Sequence, residues 1–291
     1  MNQIPQDEQQ GPIDVVIMAA GKGTRMKSSL PKVLHRLGGR ALLAHVVQTA
    51  AQIGARDVVV VTGHGADQVE AAMVRDATMP ALQFVRQMPQ LGTGHAVQQA
   101  VPVLRDDATV LVLSGDVPLI GADTLRALLA ASGGRKLALL TIAFEDPTGY
   151  GRVVRAADGH GDVQAIVEQK DADAAQRAIR EIYSGVMAVP AALLKGWLAR
   201  LDNNNAQGEY YLTGIVAMAV ADGVPVVAHV TTDALQVAGI NNPAQLAGLE
   251  RAWQRRQADS LMEDGVRLAD PARFDLRGTL DCGTDVEIDV N

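Results

Sequence analysis

Val15-Val16-Ile17-Met18-Ala19-Ala20-Gly21-Lys22-Gly23-Thr24-Arg25-Met26 is the stretch on which the fold turns. Its first five residues are uninterrupted apolar, the pattern of a strand buried on both faces, and the chain then breaks into small and cationic residues. A strand that ends in a glycine-rich loop brings backbone N–H groups to a sheet edge, where they can meet phosphate oxygens. Two familiar phosphate loops fail at the same residue. A dinucleotide fingerprint needs a third glycine where Met26 stands, and a Walker loop needs a glycine directly before Lys27-Ser28, which Met26 again replaces.

Working outward, helical periodicity follows at 41–52, a strand at 58–62, a helix at 66–74, a strand at 82–86 and a helix at 94–104. The apolar run 109–113 then stops at Ser114-Gly115-Asp116. Strands alternating with helices predict βαβ units, an α/β fold with a doubly wound, Rossmann-like sheet that binds ligands at its C-terminal strand ends. The loop after Ala19 and the loop after Leu113 therefore fall on one edge. Beyond Leu137 the character changes, with strand-like runs at 137–144, 151–155, 163–167 and 181–189. These predict a mixed region that covers the sheet edge and builds an acceptor pocket. Residues 243–263 read as a helix rich in polar side chains, a long arm rather than a core helix. The segment 270–291 holds short strand-like pieces such as 285–290, and no complete repeat or low-complexity linker is evident.

With 291 residues and 48% hydrophobic content the chain can bury a substantial core, while aromatics at 3% ill suit a stacking platform for single-stranded nucleic acid. The net charge of −7 also argues against polyanion binding in general. Its distribution is uneven, however: between Val15 and Arg56 there is no Asp or Glu, yet Lys22, Arg25, Lys27, Lys32, Arg36, Arg40 and Arg56 all occur. A solvated basic face would account for this, but its coincidence with the glycine-rich loop points to a phosphate site. Cys282, the single cysteine, can form no internal disulfide and fits a reducing compartment. The first 14 residues are polar and acidic, unlike a signal peptide, and no apolar run approaches the roughly 20 residues of a membrane span. The expectation is a cytoplasmic protein that binds neither membrane nor nucleic acid.

Arg25 offers a planar fork and Lys32 a mobile point charge on either side of the loop, a placement that serves a transferring phosphoryl group. The loop together with Pro31-Lys32 resembles the signature of sugar-nucleotide pyrophosphorylases. Gln90-Leu91-Gly92-Thr93-Gly94-His95-Ala96 narrows the resemblance to the bacterial bifunctional N-acetylglucosamine-1-phosphate uridylyltransferase/glucosamine-1-phosphate acetyltransferase family. The likeness continues through Gly115-Asp116-Val117-Pro118, Pro147-Thr148-Gly149-Tyr150-Gly151-Arg152, Ile166-Val167-Glu168, the run 203–211 and Gly239-Ile240-Asn241-Asn242, and on into 270–278. It covers nearly the whole chain after Asp14.

The resemblance implies a nucleotide-diphospho-sugar transferase fold over 1–242, a helical linker over 243–264, and over 265–291 the beginning of a left-handed parallel β-helix of hexapeptide repeats. It implies UTP and N-acetylglucosamine 1-phosphate as substrates, UDP-N-acetylglucosamine and pyrophosphate as products, and a place in peptidoglycan and lipopolysaccharide precursor synthesis. By the same likeness Met18, Ala19, Ala20 and Gly21 hold the nucleotide and Gln87, Gly92 and Thr93 read uracil. Arg25 and Lys32 are the catalytic cations. Ser114, Gly151, Glu168 and Tyr183 contact the sugar or its phosphate, and Asp116 and Asn241 hold Mg²⁺, which favours hard oxygen ligands completed by water and phosphate. The sugar phosphate attacks the α-phosphorus in line, so no protein nucleophile is needed. For His95, at a helix start in the motif, a structural or supporting role stands beside a catalytic one. Acetyl transfer and the homotrimer belong to the full β-helix, so this chain alone is expected to be monomeric and without that activity.

Two positions depart from the family pattern. Ile182-Tyr183-Ser184-Gly185 has Tyr where Asn is common, and Gly214 follows Thr213 where Asp is frequent. The alternatives are another sugar-1-phosphate nucleotidyltransferase, thymidylyl- or guanylyl-transferring, and a non-catalytic nucleotide-sensing or assembly subunit. Arg25, Lys32, Asp116 and Asn241 together favour retained chemistry.

Overall fold

The computed structural model describes residues 11–156 and 161–290; residues 1–10, on which most of the leader reading rests, and Asn291 lie outside the described residues. The chain begins with β1 (Ile13–Ala19), followed by the hairpin β2 (Arg36–Leu37) and β3 (Arg40–Ala41) and by α1 (Leu42–Gln52). Next come β4 (Asp57–Thr62), α2 (Ala66–Arg75), β5 (Gln83–Arg86), α3 (Thr93–Gln98), β6 (Thr109–Ser114) and α4 (Ala122–Ser132). The second half supplies β7 (Leu137–Ala143), β8 (Arg152–Arg155), β9 (Val163–Val167), α5 (Ala174–Arg177), β10 (Glu181–Pro190), α6 (Ala191–Leu198), α7 (Gly214–Ala221) and β11 (Val226–Val230). It closes with α8 (Pro243–Glu263), β12 (Arg267–Leu268) and β13 (Glu287–Ile288).

Among the described residues the main sheet has nine strands, in the order β11-β7-β10-β6-β1-β4-β5 with β8 attached to β10 and β9 to β8. β1 pairs parallel with both β4 and β6, whereas β10 runs antiparallel between β6 and β7. From β1 the chain first builds outward through β4 to β5, then returns to β1's other side for β6. The C-terminal ends of β1 and β6 thus flank a topological switch point, the crevice in which such sheets bind ligands. Met18 lies in register with Ser114, and the Gly115 N–H donates to the Met18 carbonyl at 2.9 Å.

The apolar runs are explained by helices on both faces. Val15 and Ile17 pack with Leu43, Val46 and Leu125 on one side, and Val16 packs with Val97, Leu194 and Ile215 on the other. Burying Val15, Val16 and Ile17 completely contributes about 1.5–3 kcal/mol per side chain.

Three differences from the sequence reading have local causes. The helix at 94–104 is shorter, since Pro102 has no N–H to continue the ladder and a 3-10 turn at Val101–Val103 replaces it. The helix of 243–263 is present, capped by the Asn242 side chain with Pro243 in its first turn. It is not free-standing. Leu249 packs with Met26, Leu37, Leu42 and Ile240, and Trp253 meets the His45 ring edge-on at 6.4 Å. The strand-like piece 285–290 is confined to β13, which pairs parallel with β12.

Candidate active site

The loop after β1 is held by the residue that ruled out both familiar phosphate loops. Met26 is 3% exposed and anchors a short 3-10 turn, Thr24–Met26, in the cluster under α8. Gly23, at φ 58°, takes the left-handed conformation, and a Cβ there would lie 2.7 Å from the Lys32 Cβ. Only glycine lets the loop lie against Lys32. Lys32 in turn donates from its ammonium to Asp116 and, at 3.1 Å, to the Asn241 amide oxygen. Residues 84 and 209 positions apart thus converge on one point, helped by the Ile240 N–H, which donates to the Asp116 carbonyl at 3.0 Å.

Of the seven cations between Lys22 and Arg56, three line this hollow: Lys22, Arg25 and Lys32, around a cavity of about 360 Å³ that Asn241 also lines. Arg56 belongs elsewhere. Its guanidinium pairs with buried Asp14 at 2.8 Å and with Asp107 at 3.1 Å, fastening the start of β1 at the far end of that strand. Arg56 thus stands apart from the phosphate-loop cations with which it is grouped in the sequence.

A second cleft of about 300 Å³ continues from the first and is lined by Met18, Ala19, Ala20, Gly21, Gln87, Gly92, Thr93, Ser114 and Asp116 among others. Gln87 is buried, and its amide nitrogen donates to the Gly92 carbonyl at 2.8 Å with the His95 ring 3.2 Å away. This fixes the amide so that its oxygen is left as an acceptor. His95 therefore supports Gln87 instead of facing a reacting group. The Thr93 hydroxyl accepts from the Leu212 N–H at 3.1 Å, coupling the Gly92-Thr93 turn to the second half of the chain.

The third hollow, about 200 Å³, shares Met18, Thr93 and Ser114 with the second and adds Gly151, Glu168, Tyr183 and Thr213. Glu168 accepts from the Thr213 hydroxyl at 2.9 Å; burial pushes its carboxyl above the usual range, against the lowering effect of that bond. Gly151 lies against Ile166, whose Cγ2 a Cβ there would meet at 2.8 Å, and beside the Glu168 carboxylate, which that Cβ would touch at an ordinary 3.5 Å. Tyr183 is buried, and its backbone N–H donates to the Gly151 carbonyl at 3.0 Å. Its hydroxyl has no partner among the described residues, and burial with the nearby Glu168 charge holds it protonated well above the usual phenol range. Every residue expected at the site on sequence grounds lines one of these three contiguous hollows.

Among the described residues no group of three His, Cys, Asp or Glu could hold a metal ion, and no helix is long and apolar enough to cross a membrane. A single carboxylate and an amide oxygen, Asp116 and Asn241, do meet at one point through Lys32. Such a donor set suits a hard divalent cation that takes its other ligands from water and phosphate.

The MobA-like NTP transferase domain matches residues 15–186 of this chain. "Bifunctional protein GlmU" of Polaromonas naphthalenivorans (strain CJ2) is 69% identical over 284 residues, covering 96% of this chain and 60% of that protein. The protein of the same name from Albidiferax ferrireducens is 70% identical over 282 residues with the same coverage, and that of Stutzerimonas stutzeri is 57% identical over 279 residues. The chain thus spans about 60% of the length of these relatives. Among solved structures, a UDP-glucose pyrophosphorylase complexed with UDP-glucose superimposes with a TM-score of 0.69 at 15% identity, covering 84% of this chain and 99% of that one. The UDP-glucose pyrophosphorylase of Acinetobacter baumanii gives 0.64 at 19% identity, covering 87% and 99%. At these identities the structural likeness establishes the fold.

Proposed function

The chain belongs to the MobA-like NTP transferase domain family, and from that premise we propose that it transfers a uridylyl group from UTP to N-acetylglucosamine 1-phosphate, releasing pyrophosphate and forming UDP-N-acetylglucosamine. The observation that carries this reading is one continuous trough. A fixed amide oxygen on Gln87 stands in the central hollow, the cations Lys22, Arg25 and Lys32 in the hollow at one end, and the Glu168 carboxylate in the hollow at the other. The Gln87 oxygen would accept the imide N–H of uracil and oppose the ring-nitrogen lone pair of cytosine, which gives base selection by an unpaired group as well as by a matched one. Glu168 would accept hydrogen bonds from sugar hydroxyls.

Asp116 and Asn241 would hold Mg²⁺. Bound there, the ion would supply charge neutralisation and alignment of the phosphate oxygens. Lys32 would leave its contact with Asp116 to face the phosphate chain, and Arg25, exposed on the loop, would offer a bidentate fork to the departing pyrophosphate. Holding acceptor and α-phosphorus in line is the main task of the protein, since the attacking oxygen is already ionised. The same reading takes 243–264 as a linker and 265–291 as the start of a left-handed parallel β-helix.

With purified chain, four nucleoside triphosphates and a panel of sugar 1-phosphates, pyrophosphate release is expected to be highest for UTP with N-acetylglucosamine 1-phosphate and to need Mg²⁺. Faster turnover with glucose 1-phosphate or with another nucleotide would replace this assignment by that pair.

Tyr183 gives a finer test. Its ring walls the sugar hollow where an amide would be the family's choice. Tyr183→Asn is expected to change the KM for N-acetylglucosamine 1-phosphate by roughly two- to tenfold, the scale of one neutral hydrogen bond, with less effect on kcat or on the KM for UTP. A large loss of kcat at unchanged sugar-phosphate KM would place the residue in support of the reacting geometry instead.

A further inference from the structure

Three residues line both the central cleft and the cationic hollow: Lys32, Gln90 and Glu209. A nucleotide seated with its base at Gln87 and its phosphates over the loop after β1 must pass its ribose across this junction. Lys32 is engaged with Asp116 and Asn241, and the Gln90 amide nitrogen donates to the Gln87 carbonyl at 3.3 Å. Glu209 differs. Its carboxylate has no hydrogen-bond or ion-pair partner among the described residues, although Lys22, Arg25 and Lys32 line the same hollow.

The backbone beneath this carboxylate is firmly held. Tyr210 N–H donates to the Leu91 carbonyl at 2.8 Å, Gly94 N–H to the Tyr210 carbonyl at 2.7 Å, and the Asn205 amide to the Glu209 carbonyl at 2.6 Å. A Cβ built on Gly92 would lie 3.0 Å from the Glu209 Cβ, so this acidic residue stands directly beside the base-reading turn. A carboxylate accepts hydrogen bonds and donates none, and it repels phosphate. Of the parts of a nucleotide that cross the junction, the hydroxyls of the sugar are the donors it can serve. An acidic side chain on ribose hydroxyls is a recurrent solution in nucleotide-binding sheets.

We propose that Glu209 reads the ribose of the bound nucleotide and so selects ribonucleotides over deoxyribonucleotides, a role that rests on the uridylyl-transfer reading above. The test compares kcat/KM for UTP, 2′-deoxy-UTP and 3′-deoxy-UTP in the wild-type chain, Glu209→Ala and Glu209→Gln, at saturating sugar phosphate and across a Mg²⁺ series. The wild type is expected to favour UTP over at least one deoxy analogue by about ten- to a hundredfold, the range for a hydrogen bond to a charged group. Glu209→Ala brings that ratio close to one by lowering the UTP value while the disfavoured analogue changes little. Glu209→Gln, which keeps one carbonyl acceptor, falls between.

An unchanged ratio in Glu209→Ala overturns the proposal. So does a higher Mg²⁺ requirement with the ratio intact, which would make Glu209 a cation ligand. Failure of the wild type to use UTP at all would remove the parent reading, an outcome distinct from either of these.

Discussion

Asp116→Ala is expected to lower kcat/KM for uridylyl transfer by about 10²–10³-fold, the scale on which single preorganised charge-stabilising groups act. The substitution removes the one carboxylate of the proposed Mg²⁺ pair and leaves the amide of Asn241 alone. It also takes from Lys32 its ion-pair partner across the switch point and, among the described residues, leaves that ammonium to the Asn241 amide alone. The fold should survive. Asp116 is joined to the rest of the site by its own carbonyl, which accepts from Ile240 N–H at 3.0 Å and is untouched by the change. Asp116→Asn refines the test, since it keeps the shape and one oxygen while removing the charge, and part of its loss should be recovered at high Mg²⁺. Rates of pyrophosphate release over a Mg²⁺ series, with circular dichroism to verify folding, supply the measurement. Near-wild-type rates for folded Asp116→Ala at limiting Mg²⁺ would take Asp116 out of the metal site.

What could be read from the sequence follows what each segment buries. β1, β4 and β6 lie between two helical layers, so their apolar runs are continuous and bounded by polar turns. α7 is hard to read from the sequence for the opposite reason. Its sequence, Gly-Ile-Val-Ala-Met-Ala-Val-Ala, is apolar on every side and has no polar face, and the Thr213 at its N-cap makes no capping bond, its hydroxyl going to Glu168. β11 follows it after a short turn through Gly223 and is equally hard to read.

At the site, Arg25, Lys32 and Asp116 were legible because each sits in a motif at the end of a strand. The strand order places their loops on one edge, but the direct approach of Asn241 to Lys32, across 209 positions, has no mark in the local sequence. Arg56 shows the reverse failure: its place among basic neighbours suggested phosphate, while its partner Asp107 lies 51 positions away at the other end of the sheet. Glu209 lies within the run 203–211 that carries the resemblance, but nothing in that run marks its place beside Gly92, which it meets only in the folded chain.

Gly92 is also where a single methyl group should do the most damage to nucleotide recognition. The residue has φ 111° and ψ 174°, a region open essentially to glycine alone, so a side chain there costs on the order of 1–3 kcal/mol before any contact is counted. A Cβ would in addition lie 2.6 Å from the Tyr210 carbonyl oxygen and 2.8 Å from its nitrogen. Both are backbone atoms and cannot rotate aside. Relief requires the 91–93 turn to move from the 209–211 segment, which breaks the Tyr210 to Leu91 and Gly94 to Tyr210 hydrogen bonds at 2.8 and 2.7 Å. It also displaces the Gly92 carbonyl that holds the Gln87 amide, so the acceptor proposed to read uracil loses its fixed orientation.

Gly92→Ala is therefore expected to raise the KM for UTP by at least about tenfold, the equivalent of one or more lost hydrogen bonds, and to reduce the preference for UTP over CTP. The KM for the sugar phosphate should respond less. Gly196→Ala is the control, for a Cβ at that position in α6 meets nothing within 4 Å, and alanine should stabilise the helix by up to about 1 kcal/mol with kinetics unchanged. A wild-type UTP preference in folded Gly92→Ala would mean that the base is read elsewhere, and the assignment of Gln87 would fall with that of the turn.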